Sequence, residues 1–219
     1  MKFRKHIQCL AKVNAGNQPL MEVKKNHSLF KQAQKTVVAI EQVRSKKNWA
    51  KLSGEIDKLA SARLSIAKLA KNGRPVKIIN ETNRVTSISL GGRYLVQPPL
   101  VAKDASLIRQ DLKEKGLPSI ILCREPKTKR GLCPVVSLGS GVIIRVQIEE
   151  PKDIEHPTCA WFDRAIDALG LQVISLAEKQ DNVLRRLDFL VAHMPAVPSY
   201  RPIYIKARSL CQTLDTQCE

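Results

Sequence analysis

The sequence predicts an α+β protein: a basic helical N-terminal arm, a small, mostly antiparallel β-rich body with one helix, and a helical C-terminal part. Three observations carry that expectation. Residues 27–72 contain almost no helix breakers and place apolar residues at helical spacing. Residues 76–148 show short alternating or continuous apolar runs between glycine, proline and asparagine clusters. Residues 157–219 return to helical spacing, interrupted by prolines. The expected divisions are a basic arm at 1–73, a β-rich body at 75–150 and a helical part at 157–219. With 219 residues and 43% hydrophobic content the chain can bury a core, and only 4% aromatics make that core aliphatic.

In the arm, Phe30, Ala33, Val37 and Ile40 share one helical face, and Leu52, Ile56, Leu59, Ile66 and Ala70 form a second series. The pattern suits one long helix or a hairpin broken at Ser45-Lys46-Lys47-Asn48, with Asn48 capping a second helix. Asn72-Gly73-Arg74-Pro75 supplies a left-handed stop and a proline that cannot continue the helix. Val76–Ile78, Val85–Leu90 and Tyr94–Val96, with turns at Asn80–Asn83 and Gly91-Gly92, suggest a small antiparallel meander.

Asp104 is placed to cap a helix carrying Leu107, Ile108 and Leu112, stopped by Gly116. Ser119–Cys123 is a strongly apolar strand, and Val135-Val136 and Val142–Ile148 flank a glycine turn. A helix from Thr158 to Leu169 closed by Gly170, a strand at Leu171–Ile174 and a helix from Ser175 to Met194 follow. The Ser175-x-x-Glu178 pattern matches a capping box, and a last helix covers Ile203–Leu214.

The net charge of +17 favours a polyanionic partner, and its distribution says more than its size. Residues 1–75 hold 17 Lys+Arg against 4 Asp+Glu, residues 76–148 hold 12 against 5, and residues 149–219 hold 8 against 11. Between 27 and 72 the acids are Glu41, Glu55 and Asp57, too few to pair the cations around them. The candidate nucleic-acid contacts are therefore Lys24, Lys25, Lys31, Lys35, Arg44, Lys46, Lys47, Lys51, Lys58, Arg63, Lys68, Lys71 and Arg74. The loop at 124–131 adds Lys127, Lys129 and Arg130. Cations on an outer helical face track phosphates without reading bases. Leu176, Val183, Leu187 and Leu190 fall near heptad spacing, which suits either the protein's own core or a self-association seam.

Other motifs are weaker. Gly73-Arg74-Pro75 has the core of a minor-groove hook without its flanking arginines, and the helix stop accounts for it. Gly139-Ser140-Gly141 lacks the lysine and following helix of a phosphate loop. His156/Cys159 and His6/Cys9 offer two ligands each where zinc takes about four, and Asp163/Asp167 share a helical face beside Arg164. Four histidines and six cysteines form no catalytic dyad and no C-x-x-C pair. The expectation is a non-enzymatic protein with no cofactor or metal, in a reducing intracellular compartment, with no membrane-spanning segment. Phe3, Ile7, Leu10 and Val13 on an acid-free N-terminus also fit an organelle presequence, though a basic arm is the plainer reading. The function expected is that of a nucleic-acid-binding subunit (RNA or DNA) of a larger nucleoprotein complex. The alternative is a structural or assembly protein, a particle or filament subunit, associating through the C-terminal helix and its charge-complementary ends.

Overall fold

The computed structural model of the chain describes residues 20–81, 88–129, 132–139 and 141–217. The described residues begin with a helical hairpin, α1 (Leu20–Ser45) and α2 (Trp49–Lys71). Its turn is built locally. Lys47 takes a left-handed conformation with φ 52°, and the amides of Lys47 and Asn48 bond back to Arg44 and Val43. The Asn48 side chain then accepts the Lys51 amide at 2.9 Å and starts α2. The stop is also the expected one: Gly73 has φ 63° and Pro75 follows.

Strands β1 (Val76–Ile79), β2 (Gly92–Val96), β3 (Ser119–Arg124), β4 (Cys133–Gly139) and β5 (Val142–Ile148) form one sheet in the order 1-2-3-4-5. Helix α3 (Ala102–Glu114) connects β2 to β3. Three C-terminal helices follow: α4 (Cys159–Glu178), α5 (Val183–His193) and α6 (Arg201–Thr216). The fold is α+β.

The sheet has helices on both faces. Leu95, Ile120, Leu122, Val135 and Ile144 join one core with α1, α2, α4, α5 and α6, while Tyr94, Val96, Ile121, Cys123 and Val136 join a second core with α3. That alternation is the period of a strand, and a strand covered on both faces reads as a continuous apolar run. The apolar run at 120–123 has this cause. The same constraint corrects the antiparallel meander: β1 pairs parallel to β2, and β2 parallel to β3. Only β3–β4 and β4–β5 are antiparallel, so the sheet is mixed. Ile88–Leu90 is not a strand, and 82–87 lie outside the described residues.

The C-terminal part departs from expectation at one residue. Gly170 does not close a helix, 171–174 is not a strand, and Ser175 does not start a helix; α4 runs through all of them. A Cβ on Gly170 would sit 2.1 Å from the buried Tyr200 ring, so the glycine serves a close approach between α4 and the start of α6. Asn182 instead caps α5, accepting the Arg185 amide at 2.9 Å. Asp104 likewise lies inside the first turn of α3, where its carboxylate accepts the Val101 amide at 2.8 Å.

These two roles of glycine predict opposite signs. Gly170→Ala should lower stability by about 1–3 kcal/mol through overpacking. Gly54→Ala, in the interior of α2 with open space at its Cβ, should raise it by about 0.5–1 kcal/mol. Paired urea denaturation curves check both.

Candidate nucleic-acid interface

The hairpin is packed into the body along α2. Leu52, Ile56 and Leu59 are all but fully buried, in a core shared with the sheet and the C-terminal helices. Burying each such side chain contributes roughly 1.5–3 kcal/mol. This burial divides the basic residues into two populations.

Cations at the seam with the rest of the protein are matched. Arg44 pairs with Asp188 of α5 at 2.8 Å, and Lys71 with Asp163 of α4 at 2.8 Å. Arg208 of α6 returns to Asp57 of α2 at 3.0 Å, and Lys58 pairs with Glu55 on its own helix at 2.7 Å. Arg74 donates to the Gly91 carbonyl. The buried Arg93 donates to the carbonyls of Lys71 at 3.2 Å and Arg74 at 3.0 Å, with Asp163 at 3.6 Å. The acidic C-terminal region thus meets the basic hairpin within one chain.

Cations on the outer side are not matched. Lys24, Lys25, Lys31, Lys35, Lys46, Lys47, Lys51 and Lys68 are exposed and form no ion pair among the described residues. Lys24, Lys31 and Lys35 are seven and four residues apart, which places them on one face of α1, opposite Ala33, Val37 and Ile40. At 1.5 Å per residue the stripe runs about 16 Å along the axis. Lys46, Lys47 and Lys51 cluster at the hairpin tip. Arg63 is different: the residue is half-buried, and its Nη1 is buried without a hydrogen-bond partner among the described residues. The signal was available, because Arg63 lies four residues after Leu59 and seven after Ile56, on the apolar stripe.

In the 124–131 loop two of the cations share one carboxylate. Arg124 and Lys127 both hold Glu150, at 2.6 Å and 2.7 Å, and the Lys127 hydrogen bond leads in keeping the Glu150 carboxyl below the usual carboxylate range. Lys129 remains exposed, and Arg130 lies outside the described residues. Of the heptad-like leucines, Leu187 and Leu190 are fully buried in the protein's own core, while Leu176 on α4 and Val183 on α5 pack partly against it.

The remaining candidates disperse. His156 faces Asp153 at 3.2 Å, whereas the Cys159 thiol contacts Arg93 and the Arg74 carbonyl. Asp163 is engaged by two cations, which leaves it a poor metal ligand. No group of three or more His, Cys, Asp or Glu among the described residues is placed to hold a metal. Burial leads in pushing the Cys123 and Cys211 thiols up to about 12, which keeps them un-ionised and unreactive near neutral pH. No helix among the described residues is long and apolar enough to cross a membrane. Phe3, His6, Ile7, Cys9, Leu10, Val13 and Cys218 lie outside the described residues. Against protein-family models, curated proteins and solved structures, the chain has no match.

The seam pairs predict a structural effect. Asp163→Asn leaves Lys71 and the buried Arg93 without their carboxylate, and should cost about 1–2 kcal/mol, discounted for the partial exposure of Asp163. Chemical denaturation reads that loss.

Proposed function

We propose that the protein is a non-catalytic nucleic-acid-binding subunit of a larger nucleoprotein complex, contacting phosphates through the outer face of α1 and the hairpin tip. One observation carries the reading: seam cations have carboxylate partners, while the outer cations Lys24, Lys31, Lys35, Lys46, Lys47 and Lys51 have none among the described residues. Like charges held a turn or two apart on a helix repel one another, and a polyphosphate relieves that cost. Lys47 adds a local argument. It occupies a left-handed position that glycine fills more easily, so a cation stands at the tip where backbone strain favours another residue. Such a surface grips backbone phosphates and leaves base identity unread.

A second reading, a particle or filament subunit, draws on different residues. β5 is an edge strand, and Ile143 on it and Leu171 on α4 are each more than half exposed. A second copy adding to that edge would extend the sheet beside Ile143. The charge-complementary ends and the buried leucines no longer favour this reading, because the chain uses them internally. Mass measurement on nuclease-treated protein separates the two: a defined large oligomer free of nucleic acid supports assembly.

The leading reading is tested on the full chain by titrating labelled single- and double-stranded nucleic acid across a salt series. Replacing Lys24, Lys31 and Lys35 together by Gln should weaken binding at least tenfold at low salt. It should also flatten the log–log salt slope by about 2–3. The control replaces the exposed Lys77, Lys152 and Lys179 by Gln, the same loss of charge away from the hairpin, and should change much less. Absent low-salt binding, or equal losses in both triple variants, would end this reading.

A further inference from the structure

The two edges of the sheet differ in how well they are protected. β1 is four residues long, follows Pro75 and carries the exposed Lys77. Short length, proline and lysine all discourage another chain from adding to an edge. β5 runs for seven residues, Val142–Ile148, with neither lysine nor proline. The direction of its backbone groups follows from its neighbour. Gln147 lies opposite Pro134, which has no amide hydrogen and whose carbonyl accepts the Glu125 amide just past β3, at 2.9 Å. That pair is therefore non-hydrogen-bonded, and Gln147 turns its own N–H and C=O to the open side. The period of the strand turns those of Ile143 and Arg145 the same way. No hydrogen bond among the described residues takes these groups up.

A groove of about 470 Å³ runs beside this edge, between Arg145–Gln147 of β5 and Ala168, Leu171, Gln172 and Ser175 of α4. The four α4 residues follow i, i+3, i+4, i+7 spacing and form one stripe, in which Leu171 is 59% exposed. The edge itself is self-complementary. Laid antiparallel on a second copy about a two-fold axis at Gln147, the run Arg145-Val146-Gln147-Ile148-Glu149 sets Arg145 against Glu149, Val146 against Ile148 and Gln147 against itself. Outward-turned residues then lie opposite one another, as the hydrogen bonds of an antiparallel pair require. An axis at Arg145 would oppose two arginines, and one at Val146 would set Glu149 against Ile143. Glu149 is exposed and has no ion pair among the described residues. Arg145 holds Glu125 with Nε and Nη2, which leaves Nη1 for a second carboxylate.

We infer that the open edge of β5 is the interface of a symmetric dimer, in which a second copy of this chain pairs antiparallel with the first and the two sheets join. Backbone hydrogen bonds between the two β5 strands hold the contact, and the two Arg145–Glu149 pairs fix its register. Beneath the joined strands the α4 stripes meet across the same axis and cover Leu171 of each copy. The small Ala168 and Ser175 give the two helices room to approach. An isologous contact of this kind uses the same edge of both copies and closes at two. A particle or filament would need a further interface, and the dimer does not depend on nucleic-acid binding.

Sedimentation equilibrium of the nuclease-treated full chain tests this. Wild type should show twice the monomer mass and dissociate on dilution. Gln147→Pro removes the amide at the axis, which makes no hydrogen bond within the chain, and should leave a folded monomer. Glu149→Arg opposes two arginines at both ends of the contact and should weaken dimerisation about tenfold or more. Arg145→Glu, made together with Glu125→Gln so that no carboxylate is left against it, should weaken it likewise. Mixing these two proteins should restore dimers with one copy of each, because every opposed pair again carries opposite charges. Lys24, Lys31 and Lys35 replaced by Gln should dimerise as wild type does. A wild type still monomeric at about 100 μM would overturn the interface. So would a dimer that survives both Gln147→Pro and Glu149→Arg, or charge variants that do not recover on mixing.

Discussion

Burial of α2 is the constraint on which the other parts of the structure depend. Its stripe of Leu52, Ile56, Leu59, Ala67 and Ala70 is the surface against which α1, the sheet and α6 are assembled. A helix so basic can be buried on one side only if its charges are sorted. Those at its margins find opposite charges, as Lys71 finds Asp163 and Asp57 finds Arg208; those on the far side stay in water. The hairpin is therefore an integral wall of the protein, held by ion pairs to the C-terminal helices. What looks along the chain like a gradient of charge is, in the fold, a pairing across a seam.

The sheet answers a second constraint, cover on both faces. α3 lies on one side and α2 with α4 on the other, so Tyr94–Val96 of β2 and Ile120–Cys123 of β3 are buried on both faces and suit parallel pairing. Where β3 and β4 diverge the backbone loses its partners, and a charged side chain from α3 substitutes for a strand. Arg109 does so with a rigid planar fork that reaches two carbonyls at once, which a lysine ammonium does less well.

Local chemistry was the legible part of the sequence. Asn48 as a cap, Gly73 before Pro75 as a stop and the apolar run at 120–123 each follow from a few neighbouring residues, and each is found in place. Strand direction was not legible, because β1 and β2 are parallel for reasons of packing over the whole sheet, and short apolar runs look alike either way. Gly170 misled for a definite reason. A glycine that ends a helix and one that admits a neighbouring ring are identical in sequence, and only Tyr200, thirty residues on, distinguishes them. At the candidate site, composition identified the exposed lysines but could not separate them from Arg44 or Lys71, whose partners are over ninety residues away. Arg63 was separable by its period alone. Arg109 was not, since nothing near it in sequence announces a fork between two strands.

The sorting of charge also bears on how much of the net +17 can act on a partner. Seam pairs contribute no field at a distance, because each cation there lies about 3 Å from a carboxylate. The outer lysines of α1 are separated by roughly 6–10 Å along the helix, comparable to the screening length in physiological salt. Each therefore feels its neighbours, and an approaching phosphate chain feels several at once. As ionic strength rises the screening length falls below that spacing, the lysines become independent, and the collective attraction fades before any single contact does. A surface of this kind is strongly salt-dependent by construction.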